Sequence, residues 1–254
     1  MHDRVMAPFV NKFGYWDIET SIFISNHIKD NNSRQIFIDI GANQGLITLQ
    51  VYNNLLGFNT IQYICIEPVP LFFDNLKKNI KEVNSKANFN LLNIGLGKVS
   101  NLIAPIFISK RNSTSTQNLD LALDAQKDLI KEIVKIVSVP DFIKTYLEPL
   151  SYEFITVKSD TDGSDIAIFD SLINSAVGFK INCFVLEIIL TDVSVSEREV
   201  LIQNCNNFSQ WFFIDRNGKY TQSKDTIADF LKSKQGSIGD LYLTQELTKN
   251  KDSY

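Results

Sequence analysis

Apolar residues along this chain gather into short β-like runs separated by longer stretches with helical spacing. The runs fall at residues 36–40, 63–66, 89–94, 154–157 and 183–189 and are rich in Ile, Val, Phe and Tyr. Between the second and third, Phe72, Leu76, Ile80 and Val83 predict one face of an amphipathic helix. Ile166, Phe169 and Ile173 predict another after the fourth. Ser196-Glu197-Arg198-Glu199 reads as a capping box opening a helix through Cys205. Strands that alternate with helices imply parallel βαβ units with right-handed crossovers. The C-terminal part breaks this alternation. Residues 211–215, Asn217-Gly218 and 219–222 form a hairpin signal, followed by a short helix (Ile227, Phe230, Leu231) and a strand over 240–244.

These patterns predict an α/β fold: a parallel sheet of five strands, helices on both faces, and a terminal antiparallel pair. The chain reads as a single domain over 1–254, with a helical cap at 1–35 that carries His27 on a surface helix. Residues 103–139 read as an insertion or lid, extended at 106–109, polar at 112–116 and helical over 119–134. Length and a hydrophobic content of 44% suit one sizeable core. A net charge of −4 and a pI near 5.3 argue against nucleic acid as the main partner. The N-terminus lacks a signal-peptide pattern and no apolar run approaches membrane-spanning length, so a cytoplasmic protein is expected. Cys65, Cys183 and Cys205 show no C-x-x-C spacing and read as buried thiols of a reducing compartment.

Residues 37–45, FIDIGANQG, carry the most chemistry. A strand ends in Asp39, turns through Gly41 and Gly45, and enters a helix. Glycine there lets a ligand approach bare backbone, and the helix N-terminus offers free N–H groups. The middle glycine of the dinucleotide fingerprint is replaced by Asn43, which points to a nucleoside-type cofactor without a pyrophosphate. In doubly wound sheets ligands lie outside the carboxyl ends of the strands, and the other ends here are polar too. The second ends in Glu67, placed to accept hydrogen bonds from ribose hydroxyls or merely to cap the next helix. The third ends in Asn93-Ile94-Gly95-Leu96-Gly97, where an adenine could stack on Ile94 or Leu96. The fourth runs Lys158-Ser159-Asp160-Thr161-Asp162-Gly163-Ser164-Asp165, crowding three carboxylates at one turn. Asp160 and Glu187, on neighbouring strand ends, could bind Mg²⁺ or Mn²⁺ through hard oxygen ligands. Neither His2 nor His27 makes a convincing base, and no Ser-His-Asp set or P-loop is present.

With those residues placed, the chain resembles the FkbM-type S-adenosylmethionine-dependent methyltransferases. The likeness lies in FIDIGANQG (37–45), YICIEPVPLFFDNLKKNI (63–80), NLLNIGLG (90–97), the strand-like IVSVPDFI (136–143), VKSDTDGSDIAIFDSL (157–172) and FVLEI (184–188). The resemblance implies a class I methyltransferase fold: a seven-stranded, mostly parallel Rossmann-like sheet with an antiparallel strand near the end. It implies that Asp39, Gly41, Asn43 and Gly45 line the methionine part of the cofactor. Glu67 would hold the ribose, and Asn93, Ile94 and Gly95 would flank the adenine. Lys158, Asp160, Gly163 and Asp165 match a Lys-x-Asp-x-x-Gly-x-acid motif facing the acceptor. Ser159 stands where an apolar residue is expected and Asp165 where glutamate is common. The implied reaction is O-methylation of a small-molecule, sugar or nucleotide-linked acceptor, in surface-polysaccharide or natural-product biosynthesis. A silent cofactor-binding module and an NAD-dependent oxidoreductase are the competing classes. Aromatic residues at 13–16 would cover the cofactor or support a homodimer.

Overall fold

The computed structural model describes residues 6–31, 33–83, 87–109, 116–117, 129–161, 163–189, 193–215, 220–221, 227–233 and 238–245. Its centre is strand β1 (Gln35–Ile40), buried along its whole length. β1 is flanked by parallel β2 (Ile61–Ile66) on one side and parallel β8 (Phe154–Ser159) on the other. β3 (Asn88–Leu92) extends the sheet beyond β2, and β9 (Ile181–Ile189) extends it beyond β8. β12 (Ile238–Thr244) then inserts antiparallel between β9 and β10 (Gln210–Asp215), and β11 (Tyr220–Thr221) pairs antiparallel with the outer edge of β10. The order is β11-β10-β12-β9-β8-β1-β2-β3. This is the seven-stranded class I methyltransferase sheet, with the two-residue β11 added at one edge. Chain progression reverses between β1 and β8, so the ligand crevice of such a sheet falls outside their carboxyl ends.

Alternation along β1 sorts the core into two layers. Phe37 packs with Ile24 and Ile28 of α2 (Ile18–Asn31), with Ile47 and Val51 of α3 (Leu46–Asn54), and with Val185 and Tyr242. Ile36, Ile38 and Ile40 face the other way. They join Phe169 of α6 (Asp165–Ile173), Leu201 of α7 (Val195–Cys205) and Phe230 of α8 (Ile227–Ser233). α4 (Pro70–Glu82) follows β2 with Pro at its first turn, where no backbone donor is lost, and buries Phe72 and Leu76 as its spacing predicts. α1 (Met6–Phe13) precedes α2.

Five local expectations are corrected. The run at 89–94 divides: β3 stops at Leu92, and β4 (Gly95–Gly97) joins a second sheet of order β4-β7-β5-β6. That sheet comprises β5 (Leu102–Ser109), β6 (Thr116–Gln117) and β7 (Leu129–Ser138). The helix expected over 119–134 is therefore a strand from 129 onward, while 118–128 lie outside the described residues. A mixed-charge stretch becomes a strand here because β5 supplies an antiparallel partner along its length, which local spacing cannot reveal. The extended reading of 136–143 ends at Ser138, whose side chain accepts the Asp141 N–H and caps the short helix α5 (Val139–Phe142). The helix α7 is capped by Ser194 rather than Ser196. Ser194 and Glu197 form the reciprocal box. His27 lies not on a surface helix but on the covered face of α2, where burial lowers its pKa and favours the neutral imidazole. The predicted Asn217-Gly218 turn lies outside the described residues, though β10 and β11 do pair as a hairpin.

Candidate cofactor and acceptor site

The turn after β1 presses against its neighbours before it meets any ligand. Gly41 and Ala42 both donate to the Ile66 carbonyl at 2.9 Å, and Asp160 N–H donates to the Ile40 carbonyl at 3.0 Å. Gly41 has φ 76°, and a Cβ there would lie 1.8 Å from the Asp160 carbonyl oxygen. A Cβ on Gly45 would lie 2.4 Å from Leu76 Cδ1. The glycines therefore admit the strand-four turn and helix α4, a reason that the sequence reading assigned to a ligand. Asn43 has φ 53°, a left-handed conformation that Asn tolerates better than most residues. That tolerance lets a non-glycine residue occupy the middle position.

Glu67, at the end of β2, accepts the Asn43 N–H at 2.9 Å through one carboxylate oxygen and the Val69 N–H at 2.8 Å through the other. It is buried, and burial pushes its pKa up to about 7 against the pull of those two donors. Asn93 holds the same corner, its amide donating to the Glu67 and Pro68 carbonyls at 2.9 and 3.0 Å. The Ile94 and Leu96 side chains are packed into the main core, so neither offers an open stacking face. A Cβ on Gly95 would meet Ile136 of β7, which accounts for glycine in that pairing.

At the end of β8 the expected acceptor motif divides by role. Lys158 is buried and its ammonium lies 3.2 Å from Asp39 Oδ1 and 3.6 Å from Asp160 Oδ2. Burial pulls its pKa down, but Asp39 and Asp160 outweigh burial and hold Lys158 above the usual lysine range. Asp39 is 1% exposed and takes a second bond, from Thr48 Oγ1 at 2.6 Å. It therefore anchors the turn from beneath and does not face the cleft as expected. Asp165 is also buried. It accepts Ser159 Oγ at 2.6 Å and the Thr161 and Gly163 N–H groups at 3.0 and 3.3 Å, so it staples the turn. Burial raises its pKa, opposed by the Ser159 hydroxyl. Ser159 and the short Asp165 thus meet in one hydrogen bond. Asp160, with a 45% exposed side chain, is the carboxylate left at the mouth. Asp162 lies outside the described residues.

The arrangement gives no support to the Asp160–Glu187 cation site. Among the described residues no group of three or more His, Cys, Asp or Glu is placed to hold a metal. The Lys158 ammonium already supplies the positive charge beside Asp160. A nucleoside cofactor fits better. The corner between the ends of β1 and β2 pairs an acceptor carboxylate with a left-handed turn, and Asn43 Oδ1 is buried there with no protein donor. Sequence reasoning missed Thr48. Thr48 sits one turn into α3, where its hydroxyl reaches back to Asp39.

No protein-family model matches this chain, and no curated protein does. Among solved structures, cofactor-bound Rv0187 from MTB is 9% identical with a TM-score of 0.47, covering 91% of this chain and 81% of that one. Precorrin-6y C5,15-methyltransferase from Geobacter metallireducens GS-15 is 9% identical with a TM-score of 0.41, covering 89% and 88%. Methyltransferase FkbM from Methylobacillus flagellatus KT is 13% identical with a TM-score of 0.45, and the match covers 84% of this chain but 44% of that one. Likenesses this distant bear on chain path alone. By its own strand order and direction, the chain has the Rossmann-like fold of class I methyltransferases.

Proposed function

We propose that this chain is an S-adenosylmethionine-dependent methyltransferase of FkbM-like type, acting on an oxygen of a small-molecule or glycan-pathway acceptor. The observation that carries the reading is the Glu67–Asn43 corner, an ionisable acceptor set against a left-handed turn at the sheet's crevice. The cofactor would supply a methyl group on a sulfonium. Glu67 would accept hydrogen bonds from the ribose hydroxyls, and the Gly41–Asn43 turn would receive the methionine part. Asp160 is the base that takes the acceptor hydroxyl's proton, and Lys158 fixes where its carboxylate points. Orienting the two reactants can lower the barrier by roughly 7–11 kcal/mol, so positioning carries most of the catalysis. The described helices include none long and apolar enough to cross a membrane.

Calorimetric titration with S-adenosylhomocysteine, with NAD as control, tests the reading. Micromolar binding of the former alone, lost in Glu67→Ala, supports it. Binding of neither favours a silent module, and tight NAD binding favours an oxidoreductase. The pH dependence sharpens the test. With Glu67 titrating at about 7, its carboxylate fills with rising pH, so affinity should strengthen about tenfold between roughly pH 6 and 8. Folding stability moves oppositely. The folded state holds the Glu67 proton more tightly than the unfolded chain, so this group's contribution is complete below the unfolded pKa of 4.5 and is lost as pH rises through about 7. A flat affinity profile across that range would remove Glu67 from the ribose role.

Asp160→Asn should lower turnover by about 10²–10⁴-fold, with S-adenosylhomocysteine affinity nearly unchanged. Single-turnover assays on the first acceptor found by screening will read this directly. Unaltered turnover would sink the general-base assignment.

A further inference from the structure

Four polar side chains are buried on the face of the sheet that α2 covers, toward the amino ends of β1, β8 and β9. Gln35, Thr156 and Asn182 are at most 2% exposed, and His27 is 9% exposed. Register places them side by side. Gln35 lies two residues before Phe37, on the same face of β1. Its Nε2 donates at 2.8 Å to the Ile28 carbonyl, one of those that the end of α2 leaves free. Phe37 stands opposite Thr156 on β8, and Thr156 stands opposite Cys183 on β9. Ile155 opposes Ile181, so Asn182 is the extra residue of a bulge, which re-aims its side chain. Above them α2 carries His27 one residue before the carbonyl that Gln35 holds. The Asn182 side chain lies close enough to act on the imidazole. Gln35, Thr156 and Asn182 thus span about 10 Å across three neighbouring strands, with His27 over them.

Protein atoms do not satisfy this set. His27 Nε2, Gln35 Oε1, Thr156 Oγ1 and both Asn182 side-chain atoms, Nδ2 and Oδ1, are buried with no hydrogen-bond partner among the described residues. The approach of Asn182 to His27 is therefore near but not a completed hydrogen bond. Leaving one such group dry costs more than a typical hydrogen bond gains, and five together would consume a large part of a domain's stability. The chemistry of the set narrows what can complete it. Gln35 Oε1 and Asn182 Oδ1 accept, Asn182 Nδ2 donates, and the Thr156 hydroxyl does either. The imidazole nitrogen accepts or donates according to its tautomer. None of the four carries charge, since burial favours the neutral form of His27. An ion of either sign would meet groups of the wrong polarity here. Water donates and accepts at once and fits them all.

We propose that His27, Gln35, Thr156 and Asn182 enclose a buried hydration site between α2 and the sheet, where ordered water completes the bonds that fasten the N-terminal cap. The inference goes beyond the cofactor reading and does not depend on it, because none of the four lies at the carboxyl end of its strand. It accounts for two polar residues in otherwise apolar strand runs, Thr156 in FITV (154–157) and Asn182 in INCF (181–184). It also gives the β9 bulge a purpose, which is to turn an amide toward α2.

Thr156→Val in the full chain tests it by the sign of its effect. Valine keeps the shape of threonine and suits a strand equally well. If the hydroxyl is dry, its removal relieves an unsatisfied group and raises the thermal unfolding midpoint. If it is bonded to buried water, its removal takes a partner from that water and should lower the midpoint by about 2–4 °C. A high-resolution crystal structure gives the second reading, with ordered water expected within about 3.2 Å of at least two of the five atoms. A lowered midpoint together with that water supports the site. A midpoint that rises or stays put overturns the inference. So does a chamber without water, whether the four side chains pair directly or stay dry. Neither result bears on S-adenosylhomocysteine titration, so failure here leaves the cofactor reading standing.

Discussion

Lys158→Met should destabilise the protein by about 3–5 kcal/mol, because it strips the partner from a carboxylate that cannot reach water. Asp39 is 1% exposed and would keep only the Thr48 hydroxyl. Water cannot replace the lost ammonium without opening the sheet between β1 and β8, where Asp39 and Lys158 stand directly opposite in register. The double variant Asp39→Asn/Lys158→Met removes both charges. It should recover most of the loss, since deleting a buried pair together costs far less than orphaning one member. Urea denaturation of the two singles and the double closes the cycle. A single variant within about 1 kcal/mol of wild type would mean that Asp39 finds solvent or a proton in the native state, and the buried pair would lose its structural role.

Gly41→Ala is expected to have the second large effect. The new methyl carbon would lie 1.8 Å from the Asp160 carbonyl oxygen and 2.8 Å from its carbon, and φ 76° is itself unfavourable for alanine. The obstructing atoms are backbone, so no side-chain rotation relieves the clash. Left-handed strain contributes about 1–2 kcal/mol, and forced displacement at a packed contact about 1–3 kcal/mol more. The turn should also lose its S-adenosylhomocysteine affinity, because the Asn43 N–H that holds Glu67 moves with it. Gly57→Ala is the control. It carries φ 95° but has nothing within 4 Å of an added Cβ, so it should show the strain alone. Thermal unfolding and calorimetry compare them, and equal behaviour of the two variants would refute the close-packing explanation for Gly41.

Much of the architecture is legible in the residues because it is written in short-range periodicity. The apolar runs at 36–40, 63–66, 154–157 and 183–189 became strands, and Phe72 and Leu76 became the buried face of α4. The pairing of β10 with β11 and the final strand at Ile238–Thr244 were visible for the same reason. The stretch at 129–134 was misread because β-branched and charged residues there suit either structure until a partner strand is known. Of the candidate site, Glu67 follows β2 and accepts the Asn43 N–H of the turn after β1, while Asp160 keeps a 45% exposed side chain beside Lys158. Asp39, Lys158 and Asp165 share the same corner but are sealed beneath it, since a charged residue's burial depends on partners that the linear pattern does not name.

The sequence by itself determined the alternation of strand and helix, the tight glycine turn at 41–45 and the polar strand ends, all of which depend on neighbours a few residues apart. Only the tertiary structure decided which strand lies beside which. That choice inserted β12 between β9 and β10, set Lys158 against Asp39 across 119 residues, and turned Gly41 toward the Asp160 carbonyl. Such contacts come from register and packing, in which a shift of one residue turns every side chain to the opposite face, so no local pattern can specify them.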